Sequence, residues 1–205
     1  NAANWFYTGL NNTNGVQAAI TIDSAGNPHV LYKTSDANVS ADNSILAYAT
    51  CAQDCTNAAN WAVGYTFLVG TDFQAKYAID TDASNRPRIV LYSADLVTND
   101  PAQARSLYYG WCNSACTTAS NWGSAFVGLN QRDGVSPDLV LDSGNLPHIS
   151  YYNDGSGYEI GYAHCTADCE TGSGAWTVGH PESPLTYPSV IQAGCQPAFW
   201  YVTAP

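Results

Sequence analysis

The chain has no methionine, and only six of its 205 residues are lysine or arginine. Against them stand 17 Asp and Glu residues, for a formal net charge of −11. A surface so poor in positive charge excludes nucleic acid and anionic membrane surfaces as partners. No apolar run approaches the ~18 residues of a membrane helix, so no membrane span is expected. Glutamate occurs only at Glu159, Glu170 and Glu182. The sequence has no G-x-S-x-G elbow, P-loop, H-E-x-x-H or zinc-deaminase signature. Paired Asp residues would suit a glycosidase, yet no pair stands out from the turn positions. The expectation is a binding or acquisition protein, not an enzyme. With no initiator methionine, Asn1 is expected to be a processed end from which a secretory signal has been removed, placing the protein outside the cell or at its surface.

Cysteine, by contrast, is plentiful. Six of the seven cysteines form three C-x3-C pairs, Cys51/Cys55, Cys112/Cys116 and Cys165/Cys169. A zinc site would need two pairs to converge on one ion. These pairs recur at wide, similar intervals in the same local context, which favours local disulfides in an oxidising compartment. Cys195 is left over.

The cysteine pairs belong to an internal repeat. The pattern D-x5-H/R reads "DSAGNPH" at 23–29, "DASNRPR" at 82–88 and "DSGNLPH" at 142–148, and "QAGCQPA" at 192–198 keeps the spacing without the end residues. Each unit offers a short alternating strand ending at the Asp, a turn, a second strand, a third strand closing at the cysteine pair, and a fourth strand opened by tryptophan. "NAANW" at 1–5 reappears at 57–61. The predicted fold is all-β: one domain over 1–205, a propeller-like array of about four β-meander units whose N-terminal strand completes the last unit. No amphipathic helix is expected.

Residues shared by every unit read as architecture, and residues that break the pattern are candidates for function. Trp5, Trp61, Trp122 and Trp176 share one position and are expected in the core. Asp23, Asp82 and Asp142 are expected to cap turns; a calcium role is the weaker reading, since no dense run of oxygen ligands occurs. Trp111 and Trp200 are not repeats. The histidines are His29, His148, His164 and His180. In "HISYYNDGSGYEIGYAH", a turn at 154–157 would set His148 opposite His164, Ser150 opposite Tyr162 and Tyr152 opposite Ile160. Directly opposed Cβ atoms lie ~4.5–5.5 Å apart, which suits two imidazoles sharing one metal ion. The same pair can instead be a polar patch, and His29 shares the "PH" of the repeat. Two histidines are too few for a typical zinc site, whereas copper(I) accepts low coordination. Trp111, one unit before the position of His164, could border the same site.

The acidity, the C-x3-C meander units, the segment "DSGNLPHISYY" and the lone histidines resemble the secreted surface copper proteins of methane-oxidising bacteria, of the copper-repressible CorA and secreted MopE type. The resemblance implies copper acquisition through a mononuclear copper(I) site of two histidines and a tryptophan oxidised to kynurenine. On this chain it points to His148, His164 and Trp111, leaving open whether His29 or His180 replaces one of them. It implies a monomer carrying copper, with a cell-surface or outer-membrane partner. The alternative is an extracellular, lectin-like carbohydrate-binding module, which abundant Tyr, Trp and Asn would suit.

Overall fold

The computed structural model describes residues 9, 16–34, 45–68, 76–93, 106–127, 133–153, 159–171 and 175–179. The fourth repeat, the copy of "NAANW" at 1–5, the turn at 154–157, His180, Cys195 and Trp200 lie outside the described residues. Strands β1 (Val16–Ile22), β2 (Pro28–Thr34), β3 (Ile45–Cys51) and β4 (Trp61–Leu68) form the first sheet. The second holds β5 (Lys76–Thr81), β6 (Pro87–Ser93), β7 (Ser106–Cys112) and β8 (Trp122–Phe126). The third holds β9 (Asp133–Leu141), β10 (Pro147–Asn153), β11 (Glu159–Cys165) and β12 (Trp176–Gly179). Each sheet is a four-stranded antiparallel meander, so the all-β expectation and the strand order within each unit hold. Short 3-10 turns, Ala58–Asn60 and Ala119–Asn121, feed the tryptophan strands β4 and β8.

The repeated Asp organises the turn between the first two strands of every unit. Asp23 Oδ1 accepts from the N–H groups of Ala25 and Asn27 at 2.9 and 2.8 Å. Asp82 Oδ1 does the same for Ser84 and Arg86, both at 2.9 Å. Asp142 Oδ1 serves Gly144 and Leu146 at 2.8 and 2.9 Å. Three residues after each Asp the backbone turns left-handed, at Gly26 (φ 87°), Asn85 (61°) and Asn145 (63°); glycine and asparagine tolerate that region best. The asparagines also lock neighbouring units together. Asn85 Oδ1 accepts from the N–H and hydroxyl of Ser24 at 3.2 and 2.7 Å, and Asn145 Oδ1 accepts from the N–H of Ala83 at 2.6 Å.

The first strands β1, β5 and β9 run beside one another. Asp80 on β5 bridges both neighbours: Oδ1 accepts from the Thr21 hydroxyl at 3.5 Å and Oδ2 from the Leu141 N–H at 2.8 Å. Two apolar layers fill the spaces between sheets. Leu31, Leu46 and Tyr48 of the first sheet meet Ile79, Ile89, Leu91, Tyr108 and Trp122 of the second. Val90, Leu107 and Tyr109 of the second meet Ile149, Tyr151, Ala163 and Trp176 of the third. Period-two alternation thus gives each strand one set of side chains for the sheet before and another for the sheet after.

The cysteines pair within units, as expected: Cys51–Cys55, Cys112–Cys116 and Cys165–Cys169, each with Cα atoms 5.7 Å apart. Trp61 and Trp122 donate Nε1–H to the carbonyls of Cys55 and Cys116 at 2.9 and 2.7 Å, tying the fourth strand to each disulfide loop. The third unit has one residue more between Cys169 and Trp176. There Trp176 Nε1 is buried and lacks a partner among the described residues.

Candidate functional site

The hairpin register is the one the sequence implies. His148 pairs with His164, Ser150 with Tyr162 and Tyr152 with Ile160. The two imidazoles lie nearly parallel, at 13°, with centroids 6.0 Å apart. Tyr162 shares their face, 5.4 Å from the His164 ring and 6.0 Å from His148. His148 Nδ1 is 2.5 Å from the Tyr162 hydroxyl, and its Nε2 is 3.6 Å from Asp142 Oδ2. His29 repeats this arrangement in the first unit, with Nδ1 2.6 Å from the Tyr48 hydroxyl and Nε2 3.3 Å from Asp23 Oδ2. Much of the environment of His148 is therefore architecture. His164 differs: Nδ1 is buried and has no hydrogen-bond partner among the described residues.

Trp111 does not join the histidines. Alternation along β11 sends Ala163 and Cys165 into the layer shared with the second sheet, so His164 and Tyr162 project from the opposite face of the third sheet. Trp111 packs against that shared layer, stacked on Tyr109 with centroids 6.2 Å apart. Its ring fills the space over Gly123, where a Cβ would come within 2.4 Å of Trp111 Cε2. The third sheet separates Trp111 from the imidazoles, because equivalent positions on successive sheets face the next sheet and not one another.

The outer face of the third sheet is also chemically distinct. Ser150 replaces Leu31 and Val90, and Asp138 replaces Ala19 and Ala78. Asp138, Val140, His148, Ser150 and Tyr162 line a shallow depression of about 140 Å3 on this face. Among the described residues no group of three or more His, Cys, Asp or Glu side chains is placed to hold a metal ion.

A larger cleft opens between the second and third sheets. It measures about 400 Å3 and is lined by Asp82, Arg86, Arg88 and Tyr109 on one side and by Asn145, Leu146, Pro147 and residues 168–171 on the other. Asp82 is buried at its base. Its Oδ2 accepts from Arg86 Nε at 2.7 Å and lies 2.9 Å from an Arg88 terminal nitrogen. Burial pushes the Asp82 carboxyl up, but the Arg86 N–H, the Arg88 charge and the Arg86 side chain outweigh it and hold the group below the usual carboxylate range. Arg88 also donates to the carbonyls of Pro87 and Cys112 at 3.1 and 3.0 Å and to Asn113 Oδ1 at 2.8 Å. Glu170 reaches in from the third sheet, with Oε1 3.9 Å from Arg88. Tyr109 contributes an aromatic wall; burial holds its phenol neutral far into the alkaline range.

This cleft was not among the sites singled out from sequence, although a signal for it existed. Arg86 and Arg88 stand where the other units have Asn27 and His29, or Leu146 and His148. Glu170 stands where the other units have Thr56 and Thr117. All three are charged departures from the repeat, and the fold brings them to one place.

No family model and no curated protein matches the chain. Solved structures do. A protein of unknown function from Dyadobacter fermentans superposes with a TM-score of 0.53 at 12% identity, over 79% of this chain and 40% of that one. A xylan β-1,4-xylosidase from Bacillus halodurans gives 0.51 at 14% identity, over 87% of this chain and 31% of the enzyme. A fucose lectin from Kordia zhangzhouensis, solved with methyl-fucoside, gives 0.45 at 16% identity, over 80% and 97%. The chain spans less than half the length of the first two, and the likeness is one of fold.

Proposed function

We propose that the protein is an extracellular carbohydrate-binding module without catalytic turnover, and that the cleft between the second and third sheets takes the sugar. The observation that carries this reading is the convergence of Arg86, Arg88 and Glu170, each a departure from the repeat, on one cleft. Small-ligand sites combine a few fixed polar groups with apolar walls in volumes of roughly 300–1,000 Å3. Here Arg86, Glu170 and Asn145 supply the polar groups, while Tyr109, Leu146 and Pro147 supply the apolar and aromatic surface. One of the solved structures that share the fold is part of a xylan β-1,4-xylosidase. The three disulfides fit an oxidising compartment. The test is retention of the full chain on immobilised polysaccharides and a glycan array. Retention that is lost in Glu170→Ala and Arg86→Ala supports the reading; no retention of the wild type on any glycan contradicts it.

The scaffold reading is a monomeric, propeller-like array in which segments 192–202 and 1–5 supply a fourth unit. Apolar exposure at both ends of the stack supports it. Ile20 is 64% exposed where Ile79 and Leu139 are buried, and Ile160 is 44% exposed where Leu46 and Leu107 are buried. A fourth unit would cover both end faces.

A second reading has its own observation. His148 and His164 are direct cross-strand partners, and the buried Nδ1 of His164 lacks a partner among the described residues, which suits a copper(I) ion held between them in a surface copper-acquisition protein. Trp111, or a kynurenine derived from it, would not be the third neighbour. Elemental analysis of protein from its native source, together with His148→Ala and His164→Ala, tests it: stoichiometric copper lost in both variants supports the site, and copper retained in both excludes it.

A further inference from the structure

We infer that the cleft selects neutral sugars over sugar acids, with Glu170 as the specificity-determining acceptor. This rests on the reading of the cleft as a carbohydrate site and adds the class of sugar. The cleft looks mixed in charge, but Asp82 already offsets part of its positive charge, and Arg88 is fully engaged. Both guanidinium groups address Asp82, through Arg86 Nε and an Arg88 terminal nitrogen. Arg88 also donates to two backbone carbonyls and to Asn113. Buried Arg88 therefore has little to offer an incoming carboxylate.

The negative charge is not committed in the same way. Glu170 is 42% exposed at the side chain, and its 3.9 Å separation from Arg88 is longer than a hydrogen bond. Asp168 lines the same wall and is exposed. Three carboxylates thus face two guanidiniums, in a chain whose net charge is already −11. A uronate would bring a fourth carboxylate into that field. A sugar hydroxyl meets it as a donor, and a hydroxyl-to-carboxylate bond is among the stronger hydrogen bonds. Arg86, 42% exposed and held to Asp82 through Nε, faces the same cleft and can donate to a second hydroxyl. A pair of sugar hydroxyls, one donating to Glu170 and one accepting from Arg86, is the arrangement the cleft satisfies.

The test titrates the full chain with methyl glycosides of neutral hexoses and deoxyhexoses, and with methyl glucuronide and galacturonide, by calorimetry or ligand-observed NMR. At least one neutral glycoside should bind, and the uronides should bind at least tenfold more weakly. Glu170→Gln should weaken the neutral ligand by about tenfold, the loss of a hydrogen bond to a charged group. Glu170→Lys should reverse the order, losing the neutral ligand and gaining the uronide. Glu170 is exposed, so these variants keep the fold, checked by far-UV circular dichroism. Uronides that bind the wild type as well as neutral sugars do, or a Glu170→Gln variant of unchanged affinity, would overturn the inference while leaving a sugar site in place. Failure of both ligand classes to bind would remove the sugar site and this inference with it.

Discussion

Replacing Asp82 by Asn probes the base of the cleft with one atom changed. Asp82 is 4% exposed and Arg88 is 5% exposed, so the pair is out of water on both sides. Asparagine keeps an oxygen that can accept from Ser84 and Arg86 in the turn, so the change removes mainly charge. Breaking a buried ion pair from one side costs about 3–5 kcal/mol, because the remaining charge is stranded. Arg88 keeps its bonds to the carbonyls of Pro87 and Cys112 and to Asn113, which places the cost near 3 kcal/mol, the lower end of that range. For a chain of this size that lowers the melting temperature by roughly 6–12 °C. The control is Asp142→Asn, in the same turn of the third unit, where the partner His148 lies 3.6 Å away and the two side chains are 39% and 33% exposed; its shift should be clearly smaller. The pH dependence has a definite sign. A carboxyl held below its unfolded value contributes stability that is complete above about pH 4 and is lost as pH falls through the lower folded value. The gap between wild type and Asp82→Asn should be full at neutral pH and shrink below pH ~4. Thermal unfolding followed by circular dichroism at several pH values reads both effects. Equal shifts for Asp82→Asn and Asp142→Asn, or a gap that persists unchanged in acid, would refute the buried-pair argument.

Other outcomes follow from packing and covalent geometry. Gly161→Ala should destabilise by about 1–3 kcal/mol in urea unfolding, since its Cβ would fall 2.0 Å from the buried Tyr151 ring, while Gly179→Ala, with nothing within 4 Å, should be near neutral. Removing one disulfide, as in the double substitution of Cys112 and Cys116 by Ala, should cost about 2 kcal/mol by the loop-entropy relation for so short a loop, measured in the same assay. In an alkaline spectrophotometric titration part of the tyrosine signal should lag: burial pushes Tyr48 and Tyr77 up to about 12 and Tyr109 higher still. A single phenol transition near pH 10 in folded protein would contradict that burial.

What the sequence made legible is what short-range chemistry encodes. The Asp-led turns, the cysteine pairs four residues apart and the His148–His164 register each depend on a few neighbouring residues, and each stands in the structure as expected. The placement of Trp111 was not legible in the sequence because it depends on which way a whole sheet faces. Positions equivalent by repeat look adjacent in the sequence pattern, yet the third sheet lies between them. The cleft depends on inter-sheet packing as well, since Arg86 and Arg88 come from one unit and Glu170 from the next. Its trace in the sequence is three charged residues that break the repeat, Arg86, Arg88 and Glu170.

The most direct test of the central claim is amide chemical-shift mapping of isotopically labelled protein titrated with a neutral methyl glycoside identified on the array. The account predicts saturable shifts at Asn145, Glu170 and Thr171 and at the Arg86 side-chain N–H, with His148, Ser150 and His164 unmoved. Shifts confined to the outer face of the third sheet, around His148, Ser150 and His164, would contradict it.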